Sequence, residues 1–422
     1  MQKVLNRFSQ HTFVISRSFI VVAVSMISNV FAYIFQLITG RYFSVEEYGQ
    51  LTSLFALSGI IPLTLTAFTG AIPKLVAEIK DKDYPREISK LFFTLLKFHL
   101  LIGILILGIM ILQQNQIAEY LQINNNTLIV YFSFAVASGM TFSFIAPFMQ
   151  GLMRFKALSA VTFITALTKF LVGIYVVYFL MPLKDIFSGL AISTLIVGIL
   201  SIFALKKNLS YKEFNTNDKE NFKKLIEYSL LSSLSILGLF LMQNIDIIEV
   251  KHLFDPAIAG IYGSTGVIGK IIFYAASPVA LVMMPICAEK FKKNENFLKP
   301  FSISIALVIL IALTGTLVYS IFPELTIRTL FGIKYLAAKD YLPMYSIYML
   351  VYTILYFITL FLLAISRFKI ASLAMIAAII QYFGIKFFAN NLNDVILIST
   401  VASLSMTLIL IGYIIKLYKN AN

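Results

Sequence analysis

The sequence predicts an all-α polytopic membrane protein of about twelve transmembrane helices in two six-helix bundles. Composition is the first reason, because 59% of the 422 residues are hydrophobic and only 13% are charged, whereas a soluble domain is about 25% charged. The second reason is the length of the apolar runs, which suits helices that cross a bilayer. The third is a weak internal repeat at an offset of half the chain.

Twelve apolar segments are long enough to span a membrane. They lie near 14–38, 51–72, 91–112, 128–149, 158–180, 186–205, 225–250, 259–286, 300–322, 342–365, 370–389 and 394–415. The first run is too long for a signal peptide and ends in no small-residue cleavage site, so we interpret it as a span. We expect a six-helix lobe at 1–205, a cytoplasmic linker at 206–224 and a second six-helix lobe at 225–422.

Lysine and arginine are unevenly distributed between the two sides of this arrangement. With the N-terminus inside, 24 of the 34 basic residues fall in inner segments and 6 in outer loops. Such a bias marks the cytoplasmic side. We therefore expect a multi-pass protein of the cytoplasmic (inner) membrane with both termini in the cytoplasm. The net charge of +14 is attributed to cytoplasmic loops, and no nucleic-acid partner is expected.

The internal repeat rests on matched motifs. Gly49 matches Gly260 at an offset of 211, and the triplet Arg-Phe-Lys at 154–156 recurs at 367–369 at an offset of 213. Six spans per half is an even number, so both halves enter the membrane in the same direction. The halves should be related by an axis along the membrane normal, as in several secondary transporters that bind substrate between the halves near the midplane.

Span 1 carries polar side chains along one helical face. They are Ser18, Ser25, Asn29, Tyr33 and Gln36. A polar face of this length is expected to contact either water in a cavity or a neighbouring helix, where Ser and Asn also serve as interhelical hydrogen-bonding groups. Both interpretations stay open. In the first of them, Asn29 and Gln36 are candidate substrate-binding residues.

Four lysines lie inside predicted spans, namely Lys97, Lys169, Lys270 and Lys386. A lysine at the centre of a membrane helix costs about 2.5–3.5 kcal/mol on insertion scales, so a function or an ion-pair partner is expected. Lys169 and Lys270 are central, whereas the other two lie nearer an end. Asp246 is the main acid in the spans. The predicted cavity is therefore cationic and suits an anionic substrate, with Lys97, Lys169, Lys270 and Asp246 as candidate binding residues.

Span 8 spaces four glycines three residues apart and carries prolines beyond them. Glycines permit close helix packing, and proline interrupts the helical hydrogen bonds. Packing and a bending hinge are both compatible with this pattern. The candidate hinge residues are Pro62 in span 2 and Gly266, Gly269 and Pro278 in span 8.

Catalytic and cofactor chemistry is not indicated by the sequence. The single cysteine, Cys287, excludes an internal disulfide, and three histidines far apart in sequence favour no metal site. No Walker-type Gly-Lys-Ser/Thr motif points to ATP hydrolysis. We expect no catalytic residue, metal or cofactor. Coupling to a proton or sodium gradient stays open.

Three motifs carry a family resemblance. They are GRYFSVEEYG at 40–49, QGLMRFK at 150–156, and Asp246, Val250, Pro256, Gly260 and Tyr262 in spans 7 and 8. In combination they resemble the O-antigen (Wzx-type) translocases, the polysaccharide-exporter branch of the multidrug/oligosaccharidyl-lipid/polysaccharide flippase superfamily. The resemblance covers the whole chain. It implies a V-shaped, MATE-like fold of two lobes.

The same resemblance implies a function. A member of this branch would flip an undecaprenyl-diphosphate-linked oligosaccharide, such as an O-antigen (lipopolysaccharide) or capsule repeat unit, by alternating access. Basic cavity residues would bind the diphosphate or acidic sugars. The implied partners are the lipid-linked substrate, membrane lipid, and the glycan polymerase and chain-length proteins.

Two alternatives belong to other classes of protein. A drug/cation antiporter of the same superfamily would be expected to place carboxylates in the first lobe's spans, and predicted spans 1 to 6 contain none. A membrane polymerase or ligase of the glycan pathway should expose a sizeable outer loop. The longest outer loop, 323–341, offers little acid–base chemistry beyond Glu324 and Asp340. The sequence therefore favours a transporter over an enzyme.

Overall fold

The structure, a computed structural model, describes residues 24–69, 71–80, 85–206, 209 and 219–419. Its helices form two compact units. The first unit comprises residues up to Thr39, Leu65–Ala118 and Asn124–Ser229, and the second comprises Gly40–Thr64, Glu119–Ile123 and residues from Leu230 onwards. Two segments of the N-terminal half thus belong to the second unit. The lobe boundaries at 205 and 225 stay a prediction, and most of the linker lies outside the described residues.

The helices of the N-terminal half follow in order. They are α1 (24–42), α2 (Val45–Thr69), α3 (Ile72–Lys80), α4 (Pro85–Leu112), α5 (Gln114–Tyr120), α6 (Asn126–Phe142), α7 (Ile145–Gly151), α8 (Phe155–Tyr178) and α9 (Lys184–Leu205). Those of the C-terminal half are α10 (Lys219–Leu253), α11 (Pro256–Lys292), α12 (Leu298–Ile321), α13 (Pro323–Leu330), a 3-10 helix (Ile333–Asp340), α14 (Leu342–Ala364), α15 (Phe368–Ala371), α16 (Leu373–Phe388) and α17 (Leu392–Lys419).

Ten helical stretches within the described ranges are long and apolar enough to cross a membrane. They coincide with the predicted spans from 91–112 onwards. The first two predicted spans, 14–38 and 51–72, fall on α1 and α2, which are not among the ten. Span 1 begins outside the described residues, as does Ser18 of its polar face. The all-α, multi-spanning fold is confirmed, and the number twelve stays a prediction.

Predicted spans 4 and 11 are interrupted in the structure. α6 ends at Phe142 and α7 begins at Ile145, while α15 ends at Ala371 and α16 begins at Leu373. The hydroxyl of Ser143 donates to the carbonyl of Met140 at 2.9 Å in the first break, where a serine competes for helix hydrogen bonds. Hydropathy reports composition alone, so it treats each broken pair as one continuous segment.

The turns that carry the repeated Arg-Phe-Lys triplet have the same backbone structure. Met153 and Ser366 adopt left-handed conformations with φ of 57° and 59°. The amide of Arg154 donates to the carbonyl of Met149 at 2.9 Å, and the equivalent amide of Arg367 donates at 2.8 Å to the residue five positions back. This is the 6→1 hydrogen bond of a Schellman-type helix end. The two matched turns therefore share one backbone conformation, and helix ends of the same kind also occur at Leu180 and Asn294.

An aromatic core occupies the end of the first unit where α3, α4 and α7 meet. Phe92 lies 5.4 Å from Phe144 and 5.1 Å from Phe148, measured between ring centroids. A Cβ atom at Gly151 would lie 2.7 Å from Val76. Glycine at this position allows α7 to approach α3 closely.

The second unit is organised around α14. This helix packs against α11, α12 and α17 and is buried along most of its length. Its sequence places Tyr345, Tyr348, Tyr352 and Tyr356 three or four residues apart, which brings them to one side of the helix. The hydroxyls of Tyr345, Tyr348 and Tyr352 belong to the polar cluster described next.

Candidate functional site

A helical hairpin of α10 and α11 positions the polar cluster of the second unit. The amide of Phe254 donates to the carbonyl of Val250 at 3.1 Å and closes α10. Pro256 opens α11 at its first position, where its missing N–H costs nothing. The amide of Ala259 then donates to the carbonyl of Asp255 at 3.0 Å. This short turn returns α11 alongside the polar residues near the end of α10.

Asp246 lies at the centre of the cluster. Its side chain is completely buried, and its Oδ2 accepts hydrogen bonds from Tyr262 at 2.8 Å and from Tyr345 at 3.2 Å. Hydrogen bonds to a charged acceptor are the strong ones, so the two hydroxyls compensate much of the cost of burying a carboxylate. Tyr262 belongs to α11 and Tyr345 to α14, so the carboxylate joins three helices.

Lys270 approaches the same place from α11. It is 9% exposed, and its Nζ donates to the Oδ1 of Asn244 at 3.0 Å. It also interacts electrostatically with Asp246. Asn244 is fixed in turn, because its Nδ2 donates to the carbonyl of Phe240 at 2.9 Å. The ammonium is therefore held against a neutral amide, with the carboxylate as its counter-charge.

A second layer of hydrogen bonds extends from this pair into α14, α16 and α17. Tyr348 donates to the carbonyl of Met242. The Nε2 of Gln381 donates to the same carbonyl at 3.2 Å and to the hydroxyl of Ser399 at 2.9 Å. Tyr352 donates to a carbonyl one turn earlier in α10 at 2.8 Å. The cluster thus connects α10 with α11, α14, α16 and α17.

The cluster retains unused hydrogen-bonding capacity. Within the described part of the chain, the buried atoms Gln243 Nε2, Asp246 Oδ1 and Gln381 Oε1 have no hydrogen-bond partner. Buried polar atoms are nearly always satisfied by protein or water. These three atoms therefore mark positions where water or a ligand is expected.

The remaining predicted binding residues lie in the first unit. Lys169 is half-buried on α8, and its Nζ is 4.9 Å from the ring centroid of Phe35 on α1. Asn29 is exposed and Gln36 is half-buried on α1, and Lys97 is half-buried on α4. The structure thus brings together Asp246 and Lys270, the two predicted residues that belong to the polar cluster. A shared role of all six in binding stays a prediction.

The glycines of the candidate hinge are packing positions. A Cβ atom at Gly269 would overlap the ring of Tyr345, and one at Gly266 would lie 3.4 Å from the hydroxyl of the same residue. Both glycines therefore make room for α14. The helix α11 continues without interruption through Pro278. Pro62 lies within α2, and its side chain is outside the described residues. Bending at these positions stays a prediction.

Sequence reasoning missed the tyrosines and Gln381. Their signal was present, since tyrosines at three- and four-residue spacing in an apolar span form a hydroxyl-bearing stripe. It also missed that Asp246 approaches Lys270. Counting along the sequence placed the acid toward the outer end of span 7, as a partner for at most one of the two central lysines, and did not say which one. In the structure Asp246 interacts electrostatically with Lys270.

Comparison of the fold with solved structures defines the class of protein. An inward-facing multidrug resistance MATE family transporter of the MOP superfamily matches with a TM-score of 0.77 at 11% identity, over 93% of this chain and 96% of that one. The lipid II flippase MurJ, in an inward closed conformation, matches with a TM-score of 0.72 at 12% identity, over 93% and 87%. The chain is therefore a multi-spanning membrane protein with the MATE/MurJ fold.

The sequence comparisons identify the family within this class. The model of the polysaccharide biosynthesis protein family matches residues 14–291. An uncharacterized membrane protein of Methanocaldococcus jannaschii is 24% identical over 317 residues, which cover 71% of this chain and 72% of that protein. The chain belongs to the polysaccharide biosynthesis protein family. The resemblance drawn from the sequence motifs is confirmed.

Proposed function

We propose that this chain is a secondary-type flippase that translocates an undecaprenyl-diphosphate-linked oligosaccharide across the cytoplasmic membrane by alternating access. Its family and its fold support a membrane flippase. The O-antigen or capsule repeat unit is the substrate class that we assign. The protein would act as a transporter and not as an enzyme, and would supply glycan polymerase and chain-length proteins with their substrate.

The hydrogen bonding of the buried Lys270 ammonium is the observation on which this proposal rests. A lysine ammonium has three N–H donors, and within the described residues one of them is engaged, by Asn244. Asp246 directs one oxygen to two tyrosines instead of forming a hydrogen bond with the lysine. Two donors of a membrane-embedded cation therefore remain for a ligand. A phosphate oxygen fits them, because lysine acts as a point donor that does not impose a bidentate geometry.

Lys169 adds a second cation in the other unit. Its Nζ lies over the ring of Phe35, and such cation–π contacts are worth about 0.5–2 kcal/mol. The contact positions the ammonium of α8 beside the ring of Phe35 on α1. We propose that Lys169 and Lys270 both attract the anionic head group of the substrate, with Asn29, Gln36 and Lys97 as further contacts.

Asp246 favours a second candidate, a drug/cation antiporter. A completely buried carboxylate with an unsatisfied oxygen could accept a cation instead. In that case transport of a cationic drug would depend on Asp246, and a lipid diphosphate would not compete with it. A proton gradient and a sodium gradient are both candidates for the driving force of either function.

We further propose that the protein lies in the inner membrane with both termini in the cytoplasm.

A reconstituted flipping assay tests the main proposal. The purified full chain is placed in proteoliposomes with a fluorescent undecaprenyl-diphosphate trisaccharide, and flipping is followed by chemical quenching of the probe on one leaflet. Lys270→Ala should reduce the rate about tenfold or more, the loss produced by removing one charge-assisted contact. Lys270→Arg should recover part of it.

Lys416→Ala is the matched control, because Lys416 is an exposed lysine near the end of α17. It should flip the probe at the unmodified rate. Normal flipping by both Lys270→Ala and Lys169→Ala would show that neither charge is used. Flipping of a cationic dye, with no movement of the diphosphate probe, would support the antiporter instead.

A further inference from the structure

Two segments of the N-terminal half are built into the second unit at the predicted outer side. They are Gly40–Thr64 and Glu119–Ile123. Each one is hydrogen-bonded to a residue or loop of the C-terminal half. The contacts fall into two groups, which we name the Arg41 latch and the His252 latch.

The Arg41 latch joins the turn between α1 and α2 to the loop after α12. Lys334 donates from its Nζ to the carbonyl of Arg41 at 2.9 Å and to that of Phe43. Tyr335 donates to the carbonyl of Gly40 at 3.0 Å. The guanidinium of Arg41 in return donates to the last carbonyls of α13, including that of Leu330 at 3.0 Å. A cation at the carbonyl end of a helix is favourable.

The His252 latch joins the segment after α5 to the end of α10. The Nε2 of Gln122 donates to the carbonyl of His252 at 2.8 Å. The rings of Tyr120 and His252 stack with centroids 3.9 Å apart. The hydroxyl of Tyr120 donates to Glu249 at 2.6 Å. Burial and this hydrogen bond raise the pKa of Tyr120, so the hydroxyl stays protonated as the donor.

The two latches are equivalent under the internal repeat. The accepting carbonyls belong to Arg41 and His252, which are 211 residues apart, the same offset as Gly49 and Gly260. The donors Gln122 and Lys334 are 212 residues apart. In each half, the loop after the third span therefore forms hydrogen bonds with the corresponding turn of the other half. Chance contacts would not be expected to repeat in this register.

Close backbone packing lies directly beneath the latches. A Cβ atom at Gly49 would be 2.8 Å from the amide nitrogen of Gly260, and one at Gly260 would overlap the carbonyl oxygen of Val45. Tyr48 is completely buried, with its ring between those of Phe331 and Tyr335. The centroids are 5.4 and 5.7 Å away. Such a close-packed contact separates as a unit rather than by gradual deformation.

We propose that the Arg41 and His252 latches are a pair of equivalent locks on the predicted outer side, and that both must release in every transport cycle. The proposal rests on the proposed function only for its transport readout. Most hydrogen bonds of the two locks run from a side chain to a backbone carbonyl, and one runs from Tyr120 to the carboxylate of Glu249. Each can therefore reopen, while the two together hold the second unit in the form observed.

Reversible cross-linking tests the locks. In a Cys287→Ala background, the pairs Arg41→Cys/Lys334→Cys and Gln122→Cys/His252→Cys are bridged with a short bifunctional methanethiosulfonate. Bridging either pair should reduce flipping of the fluorescent diphosphate probe to about a tenth or less, as expected when a required opening step is blocked. Reduction of the bridge should restore it.

A matched control pair lies in the same predicted outer loop. Lys339 and Glu324 form an ion pair at 3.3 Å and both belong to the C-terminal half. Bridging Glu324→Cys/Lys339→Cys should leave flipping unchanged. If bridging the latch pairs also left flipping unchanged, the locks would not open during transport and the proposal would be overturned.

A second measurement needs no substrate. Thr52 is 4% exposed beneath the Arg41 latch, and a cysteine there reports opening through its rate of labelling by a membrane-impermeant maleimide. Combining Lys334→Ala with Gln122→Ala removes three hydrogen bonds. It should raise that rate at least about tenfold, which is the factor for loss of a single charge-assisted hydrogen bond. An increase without any flipping would support the locks and reject the proposed function. Normal flipping with unchanged labelling would reject the locks.

Discussion

Replacing Lys270 by Met tests how strongly the buried charges of the second unit depend on each other. The substitution keeps an unbranched side chain and removes the charge that faces Asp246. Removing one partner of a buried ion pair in direct contact costs about 3–5 kcal/mol, whereas Lys270 and Asp246 interact electrostatically without a direct hydrogen bond. The hydrogen bonds from Tyr262 and Tyr345 to Asp246 remain, so we expect a loss at the lower end, about 3 kcal/mol of the free energy of unfolding.

The double variant gives the sharper result. Asp246→Asn combined with Lys270→Met leaves no charge in the cluster, and the new amide oxygen can still accept from a tyrosine. Because a buried pair can often be replaced by neutral residues at little cost, the double variant should be within about 1 kcal/mol of the unmodified protein. The coupling energy between the two sites, which is the sum of the two single losses minus the loss in the double variant, is then at least about 2 kcal/mol.

Reversible unfolding in bicelles, measured by steric trapping, gives these free energies for the full chain. Lys386→Met is the control, since Lys386 is exposed and lies outside the cluster. Its effect should stay within about 0.5 kcal/mol. If the two cluster substitutions were additive within about 0.5 kcal/mol, Lys270 would not stabilise Asp246, and the electrostatic account of the cluster would be refuted.

Three further outcomes are expected. Gly260→Ala should destabilise the protein by about 1–3 kcal/mol, because its Cβ would overlap a carbonyl oxygen of α2; Gly412→Ala, with nothing within 4 Å of the added atom, should be neutral or slightly stabilising in the same unfolding measurement. In a cysteine-free background, an impermeant maleimide applied from the periplasm should label Asp340→Cys and not Glu295→Cys, and the reverse pattern would reject the predicted topology. Gln381→Leu should cost about 1–3 kcal/mol, because two hydrogen bonds worth about 0.5–1.5 kcal/mol each are lost, and an unchanged unfolding midpoint would show that these hydrogen bonds contribute nothing.

Much of the membrane architecture was accessible from the sequence because its causes are local. A bilayer requires about twenty apolar residues per helix regardless of what surrounds them, so ten predicted spans coincide with helices. The repeat was accessible for a similar reason. The Arg-Phe-Lys triplets mark two turns with the same backbone conformation, in which Met153 and Ser366 are left-handed.

The candidate site was only partly accessible. Asp246 precedes the hairpin turn at Asp255 by nine residues and Lys270 follows it by fifteen, which at a rise of 1.5 Å per residue are about 14 and 22 Å of helix. Because these two lengths of helix differ, nothing in the sequence indicated that the two side chains are close. Their proximity depends on how α10 and α11 are rotated and on the length of the lysine side chain. The donors Tyr345 and Gln381 come from helices about 100 and 135 positions away.

The sequence by itself determined that this chain crosses the membrane repeatedly, that its halves are related, and that lysines lie where a cation is costly. These properties follow from composition, periodicity and the price of charge in hydrocarbon. Tertiary structure alone decided that Asp246 is held by Tyr262 and Tyr345, and that Gly40–Thr64 and Glu119–Ile123 join the second unit. Such contacts join residues distant along the chain, and their formation depends on packing that no local pattern encodes.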